Sequence, residues 1–261
     1  NFAVIGNPIS ESLSPLMHNW IFNTLGLEAK YEKIKVGKND LPQIIQQLKE
    51  EKWNGINVTI PYKNTIIQYL DSINTRAESI GSVNCLMKVD SEIIGNNTDW
   101  YGFIMSIKQN NIDLNNKSVV VLGAGGAAKA IIFSLIQMGI KKIDVLNRTI
   151  KKALEFQNNH IFAYELDNAE NIIQNNSIII NTTSVGMYNN ESPINYDLIH
   201  QDQIIVDIIY TPLQSKLLQF GKKVGALTIN GLDMFINQGL ASLDLWFGSS
   251  ISTQVNFLDI K

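Results

Sequence analysis

Short apolar runs alternate with amphipathic stretches along the whole chain, and each change of period marks a predicted element. Residues 2–5, 31–36, 55–59 and 82–89 read as strands, with helical spacing near 14–25 and 40–51 between them. A short partner strand follows at 92–96, and Thr98 or Asp99 is placed to cap a helix running to about residue 109. The polar, asparagine-rich stretch 109–117 suits a linker, which puts a domain boundary between about 102 and 116. Beyond it the pattern restarts. Strands at 118–122, 142–146, 161–164, 177–181, 204–208 and 226–229 alternate with helices, and a long amphipathic helix covers 232–247. The expected fold is α/β. An N-terminal α/β domain spans 1–102 and is joined by a C-terminal helical segment 237–261, while 103–236 forms a doubly wound parallel sheet of Rossmann type, with a cleft between the two.

The first stretch with chemical content is 117–130, where an apolar strand runs into glycines and then directly into a helix. Gly123 allows the tight turn, Gly125 lets the backbone approach a pyrophosphate, and Ala128 is small enough for the helix to pack on the strand. Ala124, Gly126 and Ala127 complete the loop and open the helix, whose free amides and positive dipole end form an anion site. The cofactor phosphate is predicted further on. After strand 142–146 an NAD site needs an acidic residue for the adenine ribose, but this chain has Asn147-Arg148-Thr149. The Arg148 guanidinium matches a phosphate with two charge-assisted bonds, and Lys151 and Lys152 add positive potential. The dinucleotide expected here is therefore NADP.

Composition narrows the remaining classes. A chain of 261 residues, 45% hydrophobic, can form one large domain or two modest ones. No apolar run approaches the roughly 20 residues that span a bilayer, and the sequence opens in a strand with no charged-then-apolar leader, so a cytoplasmic location is expected. A net charge of −3 with no long basic cluster argues against a nucleic-acid footprint. Cys85, the single cysteine, reads as a small core residue, and three widely spaced histidines suggest no metal cluster. A small-molecule substrate is the expected partner, with no nucleic acid and no membrane; monomer and homodimer both stay open.

Outside the glycine loop, several motifs share one resemblance. Gly6-Asn-Pro-Ile-Ser-Glu-Ser-Leu-Ser-Pro15 with Met17-His-Asn, then Asn57-Val-Thr-Ile-Pro-Tyr-Lys63, Gly81-Ser-Val-Asn84 and Asn96-Asn-Thr-Asp99 resemble the shikimate dehydrogenase family. The likeness continues through Asn147-Arg-Thr149, Thr183-Ser-Val-Gly-Met187, Asp207-Ile-Ile-Tyr210 and Gly231-Leu-Asp-Met234 to Gln238, and so covers almost the whole chain. Glu11 and Cys85 depart from the family pattern without removing a group the chemistry needs.

The resemblance implies NADP-dependent, reversible reduction of 3-dehydroshikimate to shikimate. Its substrate carries a carboxylate, a ketone and ring hydroxyls. Ser12 and Ser14 offer two hydroxyls just before Pro15, a suitable place for the carboxylate, and Tyr210 adds a third. On resemblance, Asn57, Thr59, Asn84, Asp99 and Gln238 line the remaining oxygens, Lys63 is the proton donor, and Asp99 orients it. Thr183, Met187, Ile208 and Gly231 are expected at the nicotinamide, and the two domains are expected to close over the substrate. Two alternatives stand beside this reading: a quinate/shikimate dehydrogenase that uses NAD, and a non-catalytic sensor of NADPH or substrate.

Overall fold

The structure, a computed structural model, describes residues 1–248 and 250–261, together with all side chains in its helices and strands except that of Asn168. Ser249, inside the expected C-terminal segment, lies outside the described residues. The chain forms two compact units, Asn1–Gly102 with Ile236–Lys261, and Phe103–Phe235.

The first unit contains β1 (Phe2–Gly6), α1 (Ser14–Thr24), β2 (Tyr31–Lys35), α2 (Leu41–Lys49), β3 (Gly55–Val58), β4 (Ser72–Ile73), α3 (Thr75–Ile80), β5 (Cys85–Val89) and β6 (Glu92–Asn96). Its six strands form one mixed sheet in the order β2-β1-β3-β5-β6-β4. β1 lies parallel to β2 and β3, whereas β5 runs antiparallel to both β3 and β6. All of β1 and β3 is buried, as expected of central strands covered on both faces. The strand expected from residue 82 starts only at Cys85, because the amides of Val83 and Asn84 bond to Lys63 and Asn96 instead. Two elements were not legible in the pattern: β4, which has only two residues, and α3, a six-residue helix with little periodicity.

The second unit holds most of α4 (Asp99–Gln109), then β7 (Val119–Leu122), α5 (Gly126–Gln137), β8 (Ile143–Asn147), α6 (Ile150–Leu154), β9 (Ile161–Glu165), α7 (Ala169–Gln174), β10 (Ile178–Asn181), β11 (Ile204–Asp207), α8 (Lys216–Val224) and β12 (Leu227–Ile229). α9 (Leu232–Phe247) begins in this unit and continues into the first, which ends with α10 (Phe257–Ile260). The six parallel strands are ordered β12-β11-β10-β7-β8-β9, so the direction of winding reverses at β7 and β10. Val119, Val121, Ile131, Leu135, Val145 and Ile180 fill one face, and Val120, Leu122, Ile173, Ile179 and Leu218 the other. The burial of both faces explains why β7 is a continuous apolar run.

The asparagine-rich stretch is not the linker that its composition suggested. The boundary falls between Gly102 and Phe103, inside α4, and Phe103, Ile107 and Leu114 are buried in the core of the second unit. Sparse apolar residues decide the matter because they are the ones that find core partners. The return of the chain to the first unit has a similar cause. Trp246 of α9 stacks on Phe2 at 4.9 Å, and its indole N–H donates to the carbonyl of Leu86 at 2.9 Å. A Cβ at Gly55 would lie 2.3 Å from the same indole, so only glycine lets the ring settle on β3.

Candidate active site

In the first unit the chain leaving β3 and the loops entering β5 and α4 deliver polar side chains to one buried cluster. Lys63 Nζ donates to Asp99 Oδ2 at 2.5 Å. Asp99 Oδ1 accepts from Asn84 Nδ2 at 2.8 Å, so each carboxylate oxygen has a fixed partner. The Lys63 side chain is 17% exposed and that of Asp99 is 6% exposed, which leaves the ammonium as the open end of the pair. Asn84 is itself locked, since its Oδ1 accepts the Thr98 amide at 2.7 Å and its Nδ2 reaches Gln238 Oε1 at 3.3 Å. Thr98 takes the N-cap position of α4, which starts at Asp99: the Thr98 carbonyl accepts the Gly102 amide at 3.0 Å, while the Asp99 amide donates to Asn97 Oδ1 at 3.0 Å.

Ser12 and Ser14 meet at the start of α1, where the Ser14 amide lies 3.4 Å from Ser12 Oγ and Pro15 occupies the first turn. Thr59 follows β3, is half-buried, and donates its amide to the carbonyl of Ile5 at 2.9 Å. Asn57 is used differently from expectation. Its Nδ2 donates to Ser242 Oγ and to the carbonyl of Asn84, each at 3.0 Å, while its Oδ1 accepts from Tyr31 at 2.7 Å. Both amide hydrogens are thus committed to the protein, and Asn57 holds the walls of the cluster together.

Ser242, Tyr31 and His18 were missed by sequence reasoning. Ser242 carried a signal: it lies four residues beyond Gln238 and so shares a face of α9 with it. Its hydroxyl also lies 3.1 Å from Thr98 Oγ1. His18 stood in the Met17-His-Asn motif with no role assigned and Tyr31 carried no signal; their rings stack at 4.0 Å. His18 Nδ1 donates to the carbonyl of Ser14 at 2.8 Å, and burial pulls the imidazole down to about 4, against the opposing influence of backbone groups at Ser14 and Gly239. Burial pushes the Cys85 thiol up to about 12, which leaves it a protonated core residue.

The second unit presents the glycine turn. Gly123 has φ +106°, and a Cβ there would stand 2.7 Å from Thr182 Oγ1. At Gly125 an added Cβ would meet nothing within 4 Å, so the backbone is open where an anion would approach. α5 is 12 residues long with no side-chain cap at its N-terminus, and its first-turn amides remain available. Ala124, Gly126 and Ala127 are half-buried around this opening, and Ala128 is fully buried against the sheet. At the end of β8, Asn147 Nδ2 closes a turn on the Thr149 carbonyl at 2.9 Å, while Arg148, Thr149, Lys151 and Lys152 are exposed. No acidic side chain ends this strand, and the exposed cations suit a phosphate. These residues fit a phosphorylated dinucleotide.

Thr183, Met187 and Ile208 lie half-buried in the loops after β10 and β11. Tyr210 stacks on Phe235 at 4.4 Å. Gly231 is buried behind Ile208, where a Cβ would sit 2.0 Å from the Ile208 carbonyl oxygen. That contact gives this glycine a steric reason.

A buried lysine–carboxylate pair and a strand–glycine–helix turn on one chain fit one class, a pyridine-nucleotide-dependent oxidoreductase. Residues 4–86 match the family model described as shikimate dehydrogenase substrate binding domain, and residues 106–210 match that described as shikimate / quinate 5-dehydrogenase. The chain belongs to the shikimate dehydrogenase family. It is 41% identical to a shikimate dehydrogenase (NADP(+)) of Staphylococcus haemolyticus (strain JCSC1435) over 261 residues, covering 100% of this chain and 96% of that protein. Among solved structures, shikimate dehydrogenase from Aquifex aeolicus superposes with a TM-score of 0.88 at 36% identity, covering 97% of this chain and 96% of that one. The Thermus thermophilus enzyme, in complex with NADP(H) and shikimate, gives 0.86 at 34% identity and covers 95% of this chain and 93% of that one.

Proposed function

We propose that this protein is an NADP-dependent shikimate dehydrogenase that reversibly reduces 3-dehydroshikimate to shikimate, with Lys63 as the proton donor and acceptor. The observation that carries the reading is the Lys63–Asp99 pair, whose geometry is fixed by Asn84 on the inner carboxylate oxygen. When bound, NADPH would supply the hydride that reduces the ketone carbon. As the carbonyl oxygen gains negative charge, the Lys63 ammonium gives it a proton and completes the alcohol; in reverse, the amine takes that proton back. Asp99 holds the ammonium in place throughout. Ser12, Ser14 and Tyr210 bind the substrate carboxylate in this reading, and Thr59, Asn84, Asp99 and Gln238 address its ring oxygens. Asn57 supports that set rather than touching substrate, in keeping with its two committed amide hydrogens.

On the cofactor side, Gly123, Ala124, Gly125, Gly126 and Ala127 would cradle the pyrophosphate, and Asn147, Arg148, Thr149 and Lys152 the phosphorylated ribose. Thr183, Met187, Ile208 and Gly231 would shape the nicotinamide end. The exposed Arg148 at the position where an NAD site needs a carboxylate supports NADP over NAD. The protein is taken to act in the cytoplasm on small molecules, as a monomer or homodimer. Absorbance at 340 nm with shikimate and either NADP or NAD tests the reading: rapid reduction of NADP and little of NAD is expected, and no turnover with either would overturn it.

A further inference from the structure

Two polar residues that the proposed chemistry leaves unused stand side by side at the carboxyl ends of the central parallel strands. Asn181 ends β10, Asp207 ends β11, and the two are register partners. Both are fully buried. Asn181 Nδ2 donates to Asp207 Oδ1 at 3.0 Å, and Asn181 Oδ1 accepts from both the amide and the hydroxyl of Thr183, at 3.0 and 2.7 Å. Asp207 Oδ1 also accepts the Ile209 amide at 3.1 Å, and its Oδ2 accepts the Ser215 hydroxyl at 2.5 Å. Ser215 in turn caps α8, with its Oγ 3.4 Å from the Leu218 amide.

These bonds tie three pieces of chain to one carboxylate. The segment leaving β10 turns back on it through Asn181 and Thr183. The segment leaving β11 turns back through Ile209, and Ser215 pins the far end of that same loop. Ile208 is therefore gripped between Asp207 and Ile209, while Gly231 donates its amide to the Ile209 carbonyl at 3.0 Å from the other side. A carboxylate this deep loses its hydration, and the described donors that replace the water are all neutral. Burial outweighs those donors and pushes the carboxyl up to about 6. An apolar residue would fill the space without that penalty, but it could not accept three hydrogen bonds from two loops at once.

We infer that Asp207 is a positioning residue for the cofactor site: through Asn181 and Ser215 it sets the two loops that carry Thr183, Met187 and Ile208, and so tunes binding of the nicotinamide half alone. The inference rests on the reading of the second unit as the NADPH-binding half. Its test compares NADPH with adenosine 2′,5′-bisphosphate, which carries the phosphorylated ribose and adenine but no nicotinamide, by calorimetry on the full-length protein. Asp207→Ala should weaken NADPH by about tenfold to a hundredfold, the scale on which remote misplacement affects an active site, and leave the bisphosphate unchanged. Asp207→Asn keeps an acceptor for Asn181 and Ile209 and should restore NADPH binding. Ser215→Ala removes only the Oδ2 partner; it should shift NADPH in the same direction by less, and it decides the matter if Asp207→Ala does not fold. Equal weakening of both ligands, or a lower Tm with NADPH affinity unchanged, would overturn the inference. Failure of the unaltered protein to bind either ligand would instead overturn the cofactor reading itself.

Discussion

Asn57 Nδ2 in β3 and Ser242 Oγ in α9 meet at 3.0 Å across 185 residues of sequence. Through Thr98 the same hydroxyl reaches Asn84, the residue that holds the inner oxygen of Asp99. The helix that returns the chain to the first unit is thereby built into the support of the Lys63–Asp99 pair. Ser242→Ala leaves Asn57 Nδ2 and Thr98 Oγ1 short of a buried partner, a loss of about 1–3 kcal/mol. Denaturant unfolding should register that loss, with a raised KM for shikimate and an unchanged KM for NADP. A change in NADP alone would contradict the role.

Lys63→Ala removes the proposed proton donor but few ground-state contacts. Its kcat should fall by about 10²- to 10⁴-fold, the usual worth of a general acid, while KM for shikimate changes little. Steady-state kinetics decide it. A rise in KM with kcat intact would make Lys63 a binding residue only.

Arg148→Ala should raise KM for NADP by at least about tenfold, given the roughly 1.5–3 kcal/mol of a hydrogen bond to a charged group, and leave KM for NAD as it was. Equal loss with both cofactors would make Arg148 a structural turn residue.

His18 and Asp207 act on stability in opposite directions over one pH range. The folded imidazole stays neutral down to about pH 4, while the unfolded one takes up a proton near 6.5, so stability falls as pH drops through that window, by about 3 kcal/mol in full. The folded Asp207 carboxyl keeps its proton up to about pH 6, whereas the unfolded one loses it near 3.8, so its contribution fades as pH rises between those values. His18→Gln should flatten the acid-side loss of stability, and Asp207→Asn should steepen it. Urea titrations at pH 4, 5, 6 and 7 measure both slopes; parallel curves for the variants and the parent would refute the assignment.

Local pattern was enough for much of this protein. Strand–glycine–helix order located the glycine turn, where Gly123 takes φ +106°, a conformation side chains rarely adopt, and alternating β and α signals in the second half implied a parallel sheet. The span of α9, Leu232–Phe247, was legible from its apolar period. Arg148 was expected at the phosphorylated ribose from position alone, since the residues just after the second strand of such a unit meet the ribose, and the structure leaves it exposed there. The domain limits at 102 and 103 agree with the two units, but the asparagine-rich stretch was misread as a linker, because such composition reports exposure of single residues and cannot report that Leu114 finds a core.

The site divides along the same line. Residue types and motif order named Lys63, Asp99 and Asn84, but their pairing spans a gap of 36 residues with no periodicity to betray it. Whether Asn57 faces substrate or frame, which hydroxyl of α9 supports Asn84, and why Asp207 is buried among neutral donors depend on hydrogen bonds between strands and helices far apart in sequence. Local sequence sets each segment's dihedral preferences and which of its faces is apolar. Only the packed sheets bring distant donors and acceptors within the 3 Å or so at which a hydrogen bond forms, and that proximity decided which side chains pair.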